Sequence, residues 1–179
     1  MGAGRVAGWT RILGIDPGSR VTGWGVVEAS GPAVRYIASG CIRTEGEDLP
    51  VRLREIFTAV GAIVATHQPE ELAVERVFVH RNADSALKLG QARAAAICAS
   101  FGRQLPVHEY AARAVKLAVG GQGGAEKPQV AHMVRALLQP PAPLAADEAD
   151  ALAVALCHAH TRPLGARLAA ATRLRVVRR

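Results

Sequence analysis

The chain has 179 residues, half of them hydrophobic, which favours one domain with a sizeable core and excludes a disordered polypeptide. Its net charge is +7, but six of its 22 basic residues (Arg162, Arg167, Arg173, Arg175, Arg178 and Arg179) fall in an acid-free terminus. The other 16 nearly balance the 15 acids, so net charge alone does not point to a basic groove for nucleic acid.

Residues 1–10 have no apolar core of the kind a secretory signal needs, and they read as a loose extension. Arg11–Ile15 reads as a buried strand, Pro17-Gly18-Ser19 as a turn, Thr22–Glu28 as a second strand and Val34–Thr44 as a third. The two short connections imply an antiparallel meander. Leu49–Thr66 has helical periodicity, and Pro69 stops it. Leu72–Val79 is a fourth strand, and the helix before it implies a crossover to a parallel neighbour. A helix over Asn82–Arg103, a short strand over Pro106–Tyr110 and a helix over Ala111–Val119 follow. Gly120–Gly124 is a flexible loop, Glu126–Leu138 a helix, Pro140–Pro143 a stiff linker and Ala146–His160 the last core helix.

The expected fold is therefore α/β: a mixed five-stranded sheet, its first three strands antiparallel, flanked by helices, in one domain over residues 11–160. Residues 161–179 form an Arg-rich tail that either binds phosphates or is a solvated, mobile end. No apolar run is long enough for a membrane span. Cys41, Cys98 and Cys157 lack CxxC spacing, which points to reduced thiols in the cytoplasm rather than a zinc site or disulfides.

Four acids stand where sequence context makes them costly. Asp16 ends the run Ile12-Leu13-Gly14-Ile15, Glu75 ends Leu72-Ala73-Val74, and Asp147 and Asp150 lie one turn apart at the start of an apolar helix. If they converge, hard carboxylate oxygens suit Mg²⁺ or Mn²⁺, as in two-metal cleavage of a phosphodiester. Three of them also have a plain structural reading. Asp147 can be an N-cap with Asp150 as its partner, and Asp16 a turn residue, whereas Glu75 interrupts an apolar strand and resists one. His108, His132, His158 and His160 show no ligand spacing with these acids and receive no catalytic role.

Several segments resemble RuvC, the bacterial crossover (Holliday) junction endonuclease family. They are Gly14-Ile15-Asp16-Pro17-Gly18-Ser19 with Thr22-Gly23-Trp24-Gly25-Val26, then Glu75-Arg76-Val77-Phe78, the specific run from Asn82 to Arg93, Ala125-Glu126-Lys127 and Asp147 to Ala153, in family order. The resemblance implies a ribonuclease-H-like fold, a homodimer, symmetric nicking of a four-way DNA junction to 5′-phosphate and 3′-hydroxyl ends, and work beside the RuvA–RuvB branch-migration motor. It places the catalytic, metal-binding acids at Asp16, Glu75, Asp147 and Asp150, with two Mg²⁺ ions per site and Mn²⁺ as the other candidate.

The chain has only three lysines, Lys88, Lys116 and Lys127. The last two flank the Gly120–Gly124 loop, where an ammonium could stabilise charge on a phosphate, and the resemblance links both to junction binding and activity. Phe78 is either core or, as the resemblance implies, a base-stacking wedge, with Arg76, His80, Arg81 and Asn82 around it as DNA contacts and Lys88 as a further one. Ala83, Ala86, Gly90 and Ala94 give the second helix a small-residue face, for packing on the sheet or for a two-fold interface. Two other classes of function remain at this stage: a non-catalytic junction-binding module, and a nucleotide-handling relative of the actin and sugar-kinase superfamily.

Overall fold

The computed structural model describes residues 8–76 and 83–176, with side chains as far as Arg162. In chain order the elements are β1 (Thr10–Asp16), β2 (Val21–Ser30), β3 (Ala33–Arg43), α1 (Leu49–His67), β4 (Glu71–Glu75), α2 (Ala83–Cys98), β5 (Val107–Tyr110), α3 (Ala112–Gly120), α4 (Lys127–Leu138) and α5 (Ala146–Val176). The sheet order is β3-β2-β1-β4-β5. β1, β2 and β3 are antiparallel neighbours, while β4 runs parallel to β1 and β5 parallel to β4. Helix α1 is the crossover that turns the meander into a mixed sheet.

Alternation along the strands divides the core in two. Leu13, Ile15, Val26, Leu72 and Val74 pack with Ile56 and Val60 of α1 and Ala92 and Ala96 of α2. On the other face, Ile12, Val27 and Ala73 pack with Val115 of α3, Val134 of α4 and Leu152 and Leu156 of α5. By the same parity Gly14 and Asp16 of β1, and Glu71 and Glu75 of β4, belong to the α5 face.

Ala151 to Ala159 of α5 are all buried, as the nearly continuous apolar sequence predicts. The helix lies directly on glycine. A Cβ on Gly14 would fall 2.3 Å from the Ala151 carbonyl oxygen, and one on Gly23 would fall 2.0 Å from that of Asp147.

Three expectations change. The second helix ends at Cys98, and a short 3₁₀ turn, Phe101–Arg103, follows it. Its small-residue face does not pack on the sheet: Ala83 and Ala94 are exposed and the space around Gly90 is open, whereas Ala92 and Ala96 are buried toward α1. The last helix does not end at His160 but runs on to Val176. The expected continuation of the fourth strand beyond Glu75, with Phe78, His80, Arg81 and Asn82, lies outside the described residues.

Candidate active site

The C-terminal ends of β1 and β4 lie side by side, with Ile15 opposite Val74, so Asp16 and Glu75 emerge as neighbours. The first turns of α5 bring Asp147 and Asp150 over this edge. Asp16, Glu75 and Asp150 line one cavity of about 140 Å³ together with Lys116 of α3 and Lys127 of α4. Ala112, Val115, Val130 and Ala153 form its apolar wall. Asp147 does not line the cavity, but it stands one turn away and its charge acts on Asp16.

The plain readings of these acids do not hold. Glu148, not Asp147, caps α5: its carboxylate accepts the Ala145 N–H at 3.0 Å, the return bond of a capping box. Asp16 and Glu75 have no hydrogen bond or ion pair among the described side chains. Asp150 has one partner, Lys127, whose Nζ lies 2.7 Å away.

One close ammonium does not offset so much negative charge. Burial first, and then the charges of Glu75, Asp150 and Asp147 against the opposing pull of Lys127, push the Asp16 carboxyl up to about 7. Burial and the Asp150 charge push Glu75 up as well. The Lys127 ammonium shifts up in turn, held by its bond to Asp150 and by the fields of Asp16 and Glu75. A partly buried carboxylate group that resists ionisation for want of cations is suited to divalent ions bound through hard oxygens.

The remaining candidates fall outside this cavity. Lys88 is half-buried on α2 and pairs with Asp84 one turn earlier. Arg76 follows Glu75 and lies 3.4 Å from Glu109 of β5. A wider depression of about 480 Å³ between β3 and α1, lined by residues including Ile42, Arg43, Arg54 and Glu55, contains none of the predicted site residues.

Sequence reasoning missed a second polar cluster at the other end of β4. His158 of α5 is buried; its Nε2–H donates to Glu71 at 2.6 Å, and its Nδ1 shares a 2.6 Å hydrogen bond with the Tyr110 hydroxyl. Arg162 donates from Nε to both Glu71 oxygens, at 2.8 and 2.9 Å, and His108 stacks on His158 with ring centroids 4.1 Å apart. Glu71, His108 and His158 are close enough to suggest a metal site. The bonding argues otherwise: both nitrogens of His158 and both oxygens of Glu71 are already engaged, and stacked imidazoles direct their lone pairs side by side rather than to one point.

This cluster joins α5 to the sheet. Burial alone would raise Glu71, but the hydrogen bonds from His158 and Arg162 and the nearby positive charge bring it down to about 2. A depressed carboxylate stabilises the fold above its unfolded value and loses that contribution as pH falls through the folded one. Wild-type protein should therefore lose stability through this group between about pH 5 and pH 2, by at most about 3 kcal/mol because solvent screens a half-buried pair. Urea unfolding of Glu71→Gln should show that much less acid sensitivity; an unchanged pH slope would mean that the cluster contributes nothing to stability.

A five-stranded mixed sheet with carboxylates gathered at the ends of its first and fourth strands, facing the start of the last core helix, defines a ribonuclease-H-like nuclease, a metal-dependent class. Comparison with known proteins narrows the class. The family described as Crossover junction endodeoxyribonuclease RuvC matches residues 12–158. The Methylococcus capsulatus protein of that name is 59% identical over 170 residues, 95% of this chain and 99% of its own length. The Thermus thermophilus RuvC structure superposes with a TM-score of 0.78 at 36% identity, over 87% of this chain and 97% of that one. The T. thermophilus RuvC in complex with Holliday junction substrate gives 0.80 at 34% identity, over 87% and 96%. The chain belongs to the RuvC family and is a crossover junction endodeoxyribonuclease of that family.

Proposed function

We propose that Asp16, Glu75, Asp147 and Asp150 hold two Mg²⁺ ions, and that Lys116 and Lys127 face the scissile phosphate of a four-way DNA junction. When bound, such ions supply an activated water and stabilise the leaving oxygen. The chain's own residues prepare this. Asp16 and Glu75 project from the rigid ends of adjacent strands, and Asp150 faces them from a buried helix. Lys127 keeps part of the negative charge neutralised, and Lys116 adds a second ammonium near the position where a phosphate would enter. Each nick leaves a 5′-phosphate and a 3′-hydroxyl.

The observation that carries this reading is the meeting of three carboxylates from three elements with two lysines in one cavity, with Asp16 pushed up to about 7. At about 140 Å³ the cavity is smaller than the ~300–1,000 Å³ of ordinary ligand pockets, which counts against the nucleotide-handling alternative. The open small-residue face of α2 supports a homodimer whose two sites are related by symmetry, as matched cuts require. Work with RuvA–RuvB in the cytoplasm, and Mn²⁺ as a substitute ion, complete the proposal; among the described residues no helix is long and apolar enough to cross a membrane.

The deciding assay is nicking of a synthetic four-way junction against linear duplex, with Mg²⁺ and with a chelator. Cleavage that survives the chelator, or that treats duplex and junction alike, would overturn the reading. Because a proton on Asp16 competes with the metal, the Mg²⁺ needed for half-maximal cleavage should fall as pH rises from about 6 to about 8 and level off above that. A metal requirement that is flat across this range would remove Asp16 from the ligand set.

A further inference from the structure

The peptide bond that follows Glu75 is held at both of its polar ends. The Glu75 carbonyl oxygen accepts a hydrogen bond from Arg93 Nε of α2 at 3.2 Å. The N–H of the next residue, Arg76, donates to the Tyr110 carbonyl of β5 at 2.8 Å. The second of these is the last rung of the β4–β5 ladder, which pairs Glu75 with Tyr110; β4 ends there, and Arg93 holds the carbonyl end of the same peptide. Arg93 is itself braced: its Nη2 lies 2.6 Å from one oxygen of Glu109, and the other oxygen of Glu109 lies 3.4 Å from Arg76 Nε. The Arg93 side chain is only 19% exposed, so its ion pair is screened less than a surface pair.

This arrangement has a task. The Glu75 carboxylate has no bonded partner of its own among the described side chains, and it faces Asp150 across the cavity. Asp150 repels it there while Lys116 and Lys127 attract it, so no single bond fixes the direction of the side chain. Only its backbone can be held in advance, and the two bonds to the following peptide do that. We propose that Arg93, braced by Glu109, is the positioning residue that holds the Glu75 backbone in the orientation that aims its carboxylate at the metal. The inference rests on the reading of Glu75 as a metal ligand.

The test measures junction affinity separately from metal use, in the full-length protein, on a synthetic four-way junction. Arg93→Met removes both bonds of the guanidinium, Arg93→Lys keeps the charge, and Glu109→Gln weakens the brace alone. Arg93→Met should raise the half-saturating Mg²⁺, or lower the single-turnover rate at saturating junction, by roughly 10–100-fold, the usual cost of removing a group that orients a metal ligand. Its junction affinity should stay within a few fold of wild type, Arg93→Lys should recover part of the loss, and Glu109→Gln should fall between.

Wild-type Mg²⁺ dependence together with a wild-type single-turnover rate in Arg93→Met overturns the proposal. So does a loss of junction affinity as large as the loss of cleavage, which would make Arg93 a phosphate contact. If Arg93→Met fails to fold, wild-type Mg²⁺ dependence and single-turnover rate in both Arg93→Lys and Glu109→Gln overturn it equally. Glu75→Gln is measured alongside. An active Glu75→Gln refutes the ligand reading itself, whereas an inactive one beside an unaffected Arg93→Met refutes only the positioning role.

Discussion

Replacing Asp16 with Asn should reduce cleavage of a four-way junction to background and leave junction binding within a few fold of wild type. The two side chains have nearly the same shape, so packing against β2 and α5 is kept. What is lost is the anionic oxygen proposed to bind the metal. Single-turnover nicking and a binding titration separate the two effects. Cleavage retained by Asp16→Asn would remove the assignment of the site, and a parallel loss of binding would make Asp16 part of the DNA interface instead. Stability of the metal-free protein gives an independent check. The Asp16 carboxyl is raised to about 7, so between about pH 4 and pH 7 the folded state binds more protons than the unfolded state. Stability contributed by the protonated form is therefore lost as pH rises through that window, at most about 4 kcal/mol. Metal-free Asp16→Asn should thus unfold at a higher temperature than wild type at pH 8, and the two should coincide near pH 4.

Replacing Gly23 with Ala should disable the enzyme through one methyl group. The added Cβ would lie 2.0 Å from the Asp147 carbonyl oxygen, a backbone atom of the helix that carries two of the four acids. An ordinary contact needs well over an ångström more, so the start of α5 must lift from the sheet. Overpacking of this kind costs about 1–3 kcal/mol, and a displacement of ~1 Å at a reacting centre can cost about a hundredfold in rate. Gly61→Ala on α1 is the control, because a Cβ there meets nothing within 4 Å and the helix gains propensity. Single-turnover cleavage should fall sharply in the first variant and stay at the wild-type level in the second. Equal activity in the two would mean that the close approach of α5 to β2 has no role in catalysis.

The sheet was legible in the sequence because the signals that define it are local. Short apolar runs, two tight turns and one helical crossover imply the mixed sheet, whereas the placing of β1 beside β4, and so of Asp16 beside Glu75, was left open and comes from the strand register. The convergence of Lys116 and Lys127 was legible for the same reason, since a short glycine loop cannot carry its flanks far apart. Other features depend on tertiary contacts. That Glu148 rather than Asp147 caps α5 follows from the helix beginning at Ala146, which makes Glu148 its third residue, and acids in a first turn look alike in sequence. Glu71, His108, Tyr110 and His158 come together only through strand register and a helix that returns across the sheet. Arg93 was visible as part of a motif, but its bond to the Glu75 carbonyl was not, because nothing in a sequence records where a backbone oxygen is left without a partner.

The polar cluster at Glu71 also sets a length. Glu71 and Glu75 mark the two ends of β4 on one face, four strand residues apart, or ~13 Å. On α5, Asp150 faces the Glu75 end and His158 bonds the Glu71 end, eight helical residues apart, or ~12 Å. Strand and helix therefore work as the two scales of a vernier, zeroed where His158 meets Glu71 and read where Asp150 comes level with Glu75. One residue inserted between Asp150 and His158 would advance the reading by about 1.5 Å and turn it by about 100°.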